Sequence, residues 1–487
     1  MGAYELVLAD CERDIRSGRA DLAAKRLRQL SPNSTPREGS HRVASLCRRI
    51  GLVSLGIKFL TPKTLEDRAE WLREASAQEI AEYAVLLQRI GSVNEAMTIL
   101  ETLNGEKHPE AFLYRSYCHV NRWEYAESIP LLERYVTVVK DQYKNLIGHV
   151  NLAAAFVATD QLDQSVDLLK HLLAETSRSG FHRLYANCCE MSAKVSIRLN
   201  DFEGALAYVE AAKSVLGSQR TVDELFVRKS EAIISAMTRD SLKPLDDFRA
   251  QAADRGDWES VREVDFFSLK LRFNEAGYRY LAFGTPFQAY RERLIREFGK
   301  VSYADWYVLG NGDKICMDVM SGCGNDGRPM LEIGSKVHQV IEILVRDFYR
   351  PLPLGSLHAE LFPGEHFNIF SSPDRVHQVL RRARLWAKKA NLPVVIVEDH
   401  RGYSLKLQGS AAFVVPFDRE AVDWQQVQIR KFRRFASADR LYGAAEVRQA
   451  LELTTNPFKR FTAQAVKDGV LERVGSGSST CYRLRSA

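Results

Sequence analysis

No run of apolar residues in this 487-residue sequence is long enough to cross a bilayer. The most apolar stretch, Asn151-Leu-Ala-Ala-Ala-Phe-Val-Ala158, falls far short of the roughly 20 residues required, so no membrane partner is expected. The opening Met1-Gly-Ala-Tyr-Glu-Leu6 meets Asp10, Glu12 and Arg13 before an apolar segment can form, which argues against a signal or transit peptide and for a cytoplasmic protein. Glycine (29) and proline (15) are too sparse for collagen-like or low-complexity chains. The eight cysteines, Cys11, Cys47, Cys118, Cys188, Cys189, Cys316, Cys323 and Cys481, include no C-x-x-C pair, so a disulfide framework is not expected. Cys316 and Cys323, with Asp318 and Asp326 nearby, lack zinc-like spacing, and no metal or cofactor is expected.

Catalytic signatures are missing too. Gly51-Leu-Val-Ser-Leu-Gly56-Ile-Lys58 has the wrong Gly-to-Lys spacing for a phosphate loop, and no H-E-x-x-H, nucleophile elbow or G-x-G-x-x-G after a strand occurs. The eleven histidines form no acid/base or ligand constellation. The chain reads as a non-enzyme.

What is present is a soluble globular composition, 45% apolar and 27% charged, with length for two to four domains at roughly 100–200 residues each. The net charge of +6 is unevenly spread: residues 334–487 hold 24 Lys and Arg against 15 Asp and Glu, leaving that end at +9 and the remainder at −3. A basic end of this kind is expected to meet a polyanion.

Up to about residue 300 the text is a succession of amphipathic helical runs. Four segments share a pattern: Val93-x-x-Ala96-x-x-x-Leu100-x-x-Leu103, Trp123-x-x-Ala126 before Leu131 and Leu132, Leu162-x-x-Ser165-x-x-x-Leu169-x-x-Leu172, and Phe202-x-x-Ala205-x-x-x-Val209-x-x-Ala212. The small residue marks a close helix crossing, and a second helix lies upstream of each. This resembles the tetratricopeptide repeat, although the anchors are 30, 39 and 40 residues apart where that repeat has about 34. The resemblance implies a 1–300 α-solenoid whose groove takes a protein or peptide partner, binds a small-molecule effector or supports homo-oligomerisation. Tyr83, Tyr114, Tyr117, His149, Asn151, Tyr185 and Asn187 are the candidate lining.

Around residue 301 the texture changes. Val301–Leu309, the turn-forming Gly310-Asn-Gly-Asp313 and Lys314–Met320 predict a β-hairpin, with Met330–Ile333 as a third short strand. Three helices are predicted next, at 335–347, 354–361 and 373–390, and then a hairpin of Val394–Val397 and Tyr403–Leu407 about Asp399-His-Arg-Gly402. Sheet, three helices and hairpin is the order of a winged helix, whose third helix enters the DNA major groove. On that helix Val376, Val379, Leu380, Ala383, Trp386, Ala387 and Ala390 make a core face. Arg375, Gln378, Arg382 and Lys389 form one polar stripe, and Arg381, Arg384 and Lys388 a second. Arg and Gln suit guanine and adenine edges, and terminal Lys suits phosphate.

Residues 301–410 resemble the OmpR-type winged-helix effector domain, on the order of elements, the hairpin's Gly402-Tyr403-Ser404-Leu405 and the helix carrying Val376, Leu380, Arg382, Ala383 and Arg384. The resemblance implies double-stranded DNA as partner, with Arg401 as the wing cation, in an arrangement met in bacterial regulators. The family's usual receiver domain has no counterpart in this chain, and the loop Leu361-Phe-Pro-Gly-Glu-His-Phe-Asn368 is longer and more aromatic than the family shows.

After a linker predicted at 408–423, residues 424–487 resemble a second, generic winged helix. Gln425–Ala436 carries Arg430, Lys431, Arg433 and Arg434; Ala444–Leu451 and Pro457–Asp468 read as a helix-turn-helix; and 470–484 reads as a hairpin. Asn456, Lys459, Arg460, Gln464 and Lys467 are its recognition candidates, over an expected core of Val447, Leu451, Phe458, Phe461, Ala465, Val466 and Leu471. Winged helices also bind proteins. The fold class expected is therefore mostly α: an N-terminal α-solenoid followed by two α+β winged-helix domains. The function expected is a cytoplasmic, sequence-specific, DNA-binding transcription regulator. A non-enzymatic scaffold of a protein complex is the alternative.

Overall fold

In the computed structural model, one backbone device recurs seven times among the described residues between 47 and 241, once at Gly180 (φ 68°, Phe181 N–H to the Thr176 carbonyl at 3.0 Å) and six times between the two helices of a pair. Gly51, Gly91, Trp123, Asp160, Asn200 and Asp240 adopt left-handed φ angles of 80°, 91°, 62°, 60°, 60° and 48°. After each, the next N–H reaches back five residues: Leu52 to the Cys47 carbonyl at 2.8 Å, Ser92 to Leu87 at 2.9 Å, Glu124 to His119 at 3.0 Å, Gln161 to Phe156 at 2.9 Å, Asp201 to Ser196 at 2.9 Å and Ser241 to Ala236 at 3.1 Å. These are Schellman closures, which satisfy carbonyls at a helix end and turn the chain. The structure describes residues 3–16, 19–32, 35–61, 74–216, 222–299, 306–310, 317–319, 322–324, 329–399, 401–408, 411–417 and, with short interruptions, 425–485.

The turns separate paired helices. After α1 (Ala3–Arg16) and α2 (Ala20–Leu27) come α3 (Arg37–Arg49) with α4 (Val53–Leu60), α5 (Ala77–Arg89) with α6 (Val93–Glu101), and α7 (Glu110–Val120) with α8 (Tyr125–Val138). α9 (Gln142–Ala158) with α10 (Leu162–Arg178), α11 (His182–Arg198) with α12 (Phe202–Leu216), and α13 (Val222–Arg239) with α14 (Lys243–Arg255) continue the series, followed by α15 (Trp258–Leu271), α16 (Glu275–Phe283) and α17 (Gln288–Phe298). Each helix packs on its neighbours in sequence.

In five of the second helices the fourth residue is small and buried: Gly56, Ala96, Ser128, Ser165 and Ala205. Four residues on, Leu60, Leu100, Leu132, Leu169 and Val209 fill the crossing. A Cβ on Gly56 would meet the Ala44 carbonyl and Leu86 at 3.2 Å, which shows how closely the backbones approach. Two expectations are corrected. Ala126 is exposed and Ser128, fully buried, holds the anchor position, because α8 starts at Tyr125 and not at Trp123. The anchors then lie 40, 32, 37 and 40 residues apart, and the series gains Gly56.

Contacts divide the chain into two units. The first joins residues 1–302 to 346–377 and 398–404, and the second joins 303–345, 378–397 and 405–487, so the segment 301–410 contributes to both. In the first unit α19 (Leu354–Leu361, preceded by α18 below) packs on α6, with Ser356 Oγ donating to the Gly91 carbonyl at 3.3 Å. Phe367 is buried in the core of Ile80, Tyr83, Leu87 and Leu100.

In the second unit β1 (Trp306–Leu309) and β2 (Met317–Asp318) do not pair as a hairpin. Both flank β5 (Phe413–Pro416), giving the order β1-β5-β2, with Leu309 opposite Phe413 in the antiparallel pair and Met317 opposite Phe413 in the parallel one. Ala411, Ala412, Phe413 and Val415 are completely buried, so this short apolar run, expected as linker, takes the centre of the sheet. Met330–Ile333 is bend and turn where a strand was expected, and the Met330 and Leu331 N–H groups both donate to the Gly322 carbonyl. The Gly310–Asp313 turn and the 418–423 part of the linker lie largely or wholly outside the described residues.

α18 (Lys336–Leu344) opens on a Ser335 cap, and His338 Nε2 lies 2.8 Å from the Val319 carbonyl. α20 (Ser372–Lys389) belongs to both units and is followed by the hairpin β3 (Val394–Asp399) and β4 (Gly402–Leu407). Farther on, β6 (Tyr442–Gly443), α21 (Ala444–Ala450), α22 (Thr455–Lys467), β7 (Leu471–Val474) and β8 (Cys481–Leu484) enclose Val447, Leu451, Phe458, Phe461, Ala465 and Leu471. β6 adds an unexpected third strand beside the β7–β8 hairpin. Val466, expected in this core, is 36% exposed. The protein is thus mostly α, with 22 helices among the described residues, paired contacts towards its N-terminus and small sheets in its C-terminal part.

Candidate nucleic-acid interface

α20 forms because its apolar residues fall on one stripe: Val376, Val379, Leu380, Ala383 and Ala387 are buried. The other side is open. Gln378, Arg381, Arg382, Arg384, Lys388 and Lys389 are exposed, and no acid lies among residues 378–389. Gln378, Arg381, Arg382, Lys388 and Lys389 make no ion pair or hydrogen bond with the described residues, whereas Arg384 Nε donates to the Ile396 carbonyl at 3.2 Å. Trp386, whose Nε1 donates to the Met330 carbonyl at 3.1 Å, fixes the far end. Asp374, in the first turn, complements the helix dipole. The helix therefore presents five unpaired donor side chains and one tethered cation on one surface, suited to hydrogen-bonding acceptor-rich base edges and neutralising phosphates.

The two remaining expected cations of this module, Arg375 and Arg401, are placed differently. Arg375 is half-buried, with its guanidinium 4.0 Å from the Phe362 ring centroid and Nη2 3.1 Å from Glu365 Oε1. That ion pair holds its pKa above the ordinary arginine value. Arg401, in the turn between β3 and β4, donates through Nη2 to the Asp254 carbonyl at 2.9 Å and lies 5.7 Å from the Trp258 ring. Both contacts are with the helical unit. The turn itself is locked by Asp399 Oδ1, which accepts from the Arg401 N–H at 2.7 Å and the Gly402 N–H at 3.2 Å. Tyr403 exchanges backbone hydrogen bonds with Leu352 at 2.8 and 2.9 Å, and its hydroxyl donates to Glu398 at 2.8 Å.

The helical unit also holds the loops of this module. The Phe367 N–H donates to Glu95 Oε2 at 2.9 Å, and Arg262, wholly buried, donates to Asp347 Oδ1 at 2.9 Å. Burial opposes charging Arg262, but Asp347 and Glu259 overcome it and keep the guanidinium protonated. The length and aromatic content of 361–368, noticed in the sequence, are explained by this anchorage; nothing in the pattern named Glu95 or Arg262 as the anchors.

In the second basic segment, Asn456, Lys459, Arg460, Gln464 and Lys467 are all exposed on α22, opposite Phe458, Phe461, Thr462 and Ala465. Gln464 is engaged with Asp468 at 2.7 Å. Arg430, Lys431, Arg433 and Arg434 lie outside the described residues.

The candidate groove residues of the helical unit are largely structural. Tyr83 is core, and the Asn151 amide donates to the Ile147 carbonyl at 2.8 Å within its own helix. Tyr114 lies beside Tyr117 at 6.1 Å and under Arg48 at 5.8 Å. Burial pushes the thiols of Cys47, Cys118 and Cys188 up to about 12, which leaves them protonated and inert. Among the described residues no helix is long and apolar enough to cross a membrane. No protein-family model matches the sequence, and no curated protein matches it either.

Proposed function

We propose that this protein is a cytoplasmic, sequence-specific DNA-binding transcription regulator. In this reading the paired helices are an α-solenoid of tetratricopeptide-like repeats, and residues 301–410 and 424–487 are two winged helices. The single observation that carries it is the exposed face of α20, where Gln378, Arg381, Arg382, Lys388 and Lys389 stand unpaired without an intervening acid. An ordinary surface helix mixes Glu with Lys at i, i+4 spacing. Gln378 and Arg382 read base edges, and Lys388 and Lys389 contact phosphates. α22, with Asn456, Lys459, Arg460 and Gln464, is the second DNA contact, and the helical pairs receive a protein or peptide partner or a second copy of the chain. Arg375 and Arg401 are left out of the reading because their side chains are occupied.

The anchorage of Arg401, Phe367 and Asp347 on the helical unit favours the alternative of a non-enzymatic scaffold, in which the basic helices face acidic proteins. One experiment separates the two. Binding of Gln378→Ala, Arg382→Ala and Lys389→Ala variants to a library of duplex sites is expected to change sequence preference for the first two and, for the third, to weaken every site alike and reduce the salt slope by about 1. Equal losses for all three variants contradict the base-reading assignment, and no duplex binding by the wild-type chain favours the scaffold.

A further inference from the structure

Residues 51–55 and Lys58, in the segment whose spacing excludes a phosphate loop, line a cleft of about 690 Å3 in the first unit, bounded by α4, the end of α5, Pro353–Gly355, Phe367 and the turn Glu398–Tyr403. The volume is in the range of small-molecule sites, about 300–1,000 Å3. Its walls are mainly apolar, with Leu55, Ile90 and Phe367 among them. Of the three cations that line it, Arg401 is engaged with the Asp254 carbonyl, and two others stand at it, Lys58 and Arg89. Both are exposed, and neither has an ion pair or hydrogen bond with the described residues.

The acids of the cleft do not answer these cations. Glu398 accepts the Tyr403 hydroxyl, and Asp399 accepts two backbone N–H groups of its own turn. The first turn of α4 adds backbone donors, since Leu52 at its N-cap offers no side-chain acceptor. The cleft thus combines an apolar body with unanswered positive charge.

We propose that this cleft binds a small amphipathic anion, with its charged end at Lys58 and Arg89 and its apolar body against Leu55, Ile90 and Phe367. The site is independent of the DNA reading, because no residue of the α20 basic face lines it. Occupancy would touch the turn that carries Arg401, which the helical unit holds.

The test is calorimetric titration of the full chain, without DNA, with decanoate, 1-decanol and inorganic phosphate. Saturable 1:1 binding of decanoate is expected, at least tenfold tighter than either the uncharged alcohol or phosphate alone. The double variant Lys58→Ala/Arg89→Ala should weaken decanoate at least tenfold with an unchanged unfolding midpoint, as both side chains are exposed, and Arg89→Lys should restore part of it. Absence of saturable decanoate binding, or a double variant within twofold of wild type, overturns the proposal. Phosphate binding as tight as decanoate overturns its apolar half.

Discussion

Arg262 on α15 and Asp347, 85 residues later, form an ion pair with almost no exposure to water: Nη2 to Oδ1 is 2.9 Å, and the two side chains are 0% and 2% exposed. Asp347 Oδ1 also accepts the N–H groups of Tyr349 and Arg350, so one carboxylate shapes the 347–350 turn and fastens it to the helical unit. The Arg262 guanidinium lies 4.9 Å from the Tyr349 ring and 5.2 Å from the Phe287 ring.

Removing one partner of such a pair leaves a charge buried without compensation, at a cost of about 3–5 kcal/mol. Asp347→Ala is therefore expected to lower the urea unfolding midpoint sharply, with Asp347→Asn intermediate because an acceptor remains. An Asp347→Ala variant unfolding at the wild-type midpoint contradicts the buried pair.

The helix register makes a second prediction from two neighbouring positions. Ser128→Leu places a large side chain at the fully buried crossing of α8 and should cost about 1–3 kcal/mol, whereas Ala126→Leu, on the exposed face, should remain within about 0.5 kcal/mol of wild type. Thermal unfolding of the two variants reads the difference, and the reverse order would restore the register expected from Trp123.

His358 gives a pH dependence. Its ring is completely buried beside Phe362 and Phe367, and neither nitrogen has a hydrogen-bond partner. Burial lowers its pKa below the ordinary 6.5, so the unfolded chain takes up a proton before the folded one does. The stability His358 contributes is complete above about pH 6.5 and declines as the pH falls through the lowered folded value. Unfolding midpoints between pH 7.5 and 5 should fall for wild type more steeply than for His358→Phe. Parallel profiles would mean that the ring is solvated.

Much of the helical part was legible because its signals are local. Ala96, Ser165 and Ala205 mark helix crossings by small size at a fixed offset from an apolar first residue, and all three are fully buried. The sequence pattern places the anchor at Ala126 because Trp123 looks like a helix start; Trp123 instead sits at φ 62°, a conformation bulky residues rarely adopt, with Nε1 donating to Glu259 at 3.0 Å. That contact is 136 residues distant and invisible to periodicity. Gly56 follows the same spacing, three residues after Val53 and four before Leu60, inside the glycine-containing segment 51–58.

The sheets were harder for the same reason. β5 is four residues long and gains its place only by lying between β1 and β2, roughly a hundred residues earlier. The basic face of α20 follows from helical spacing alone, and its exposed residues match that spacing. The capture of Arg401 by the Asp254 carbonyl and Trp258 depends on tertiary packing and left no local mark.

The most direct test of the DNA-binding account is retention of genomic DNA fragments by the purified full chain across a salt series, with sequencing of what is retained, for wild type and for Arg381→Ala/Arg382→Ala. The account predicts an enriched sequence motif, a steep loss of retention between about 50 and 200 mM salt, and loss of the motif in the double variant. Retention without a motif, or a double variant that enriches the same motif as strongly as wild type, would contradict it.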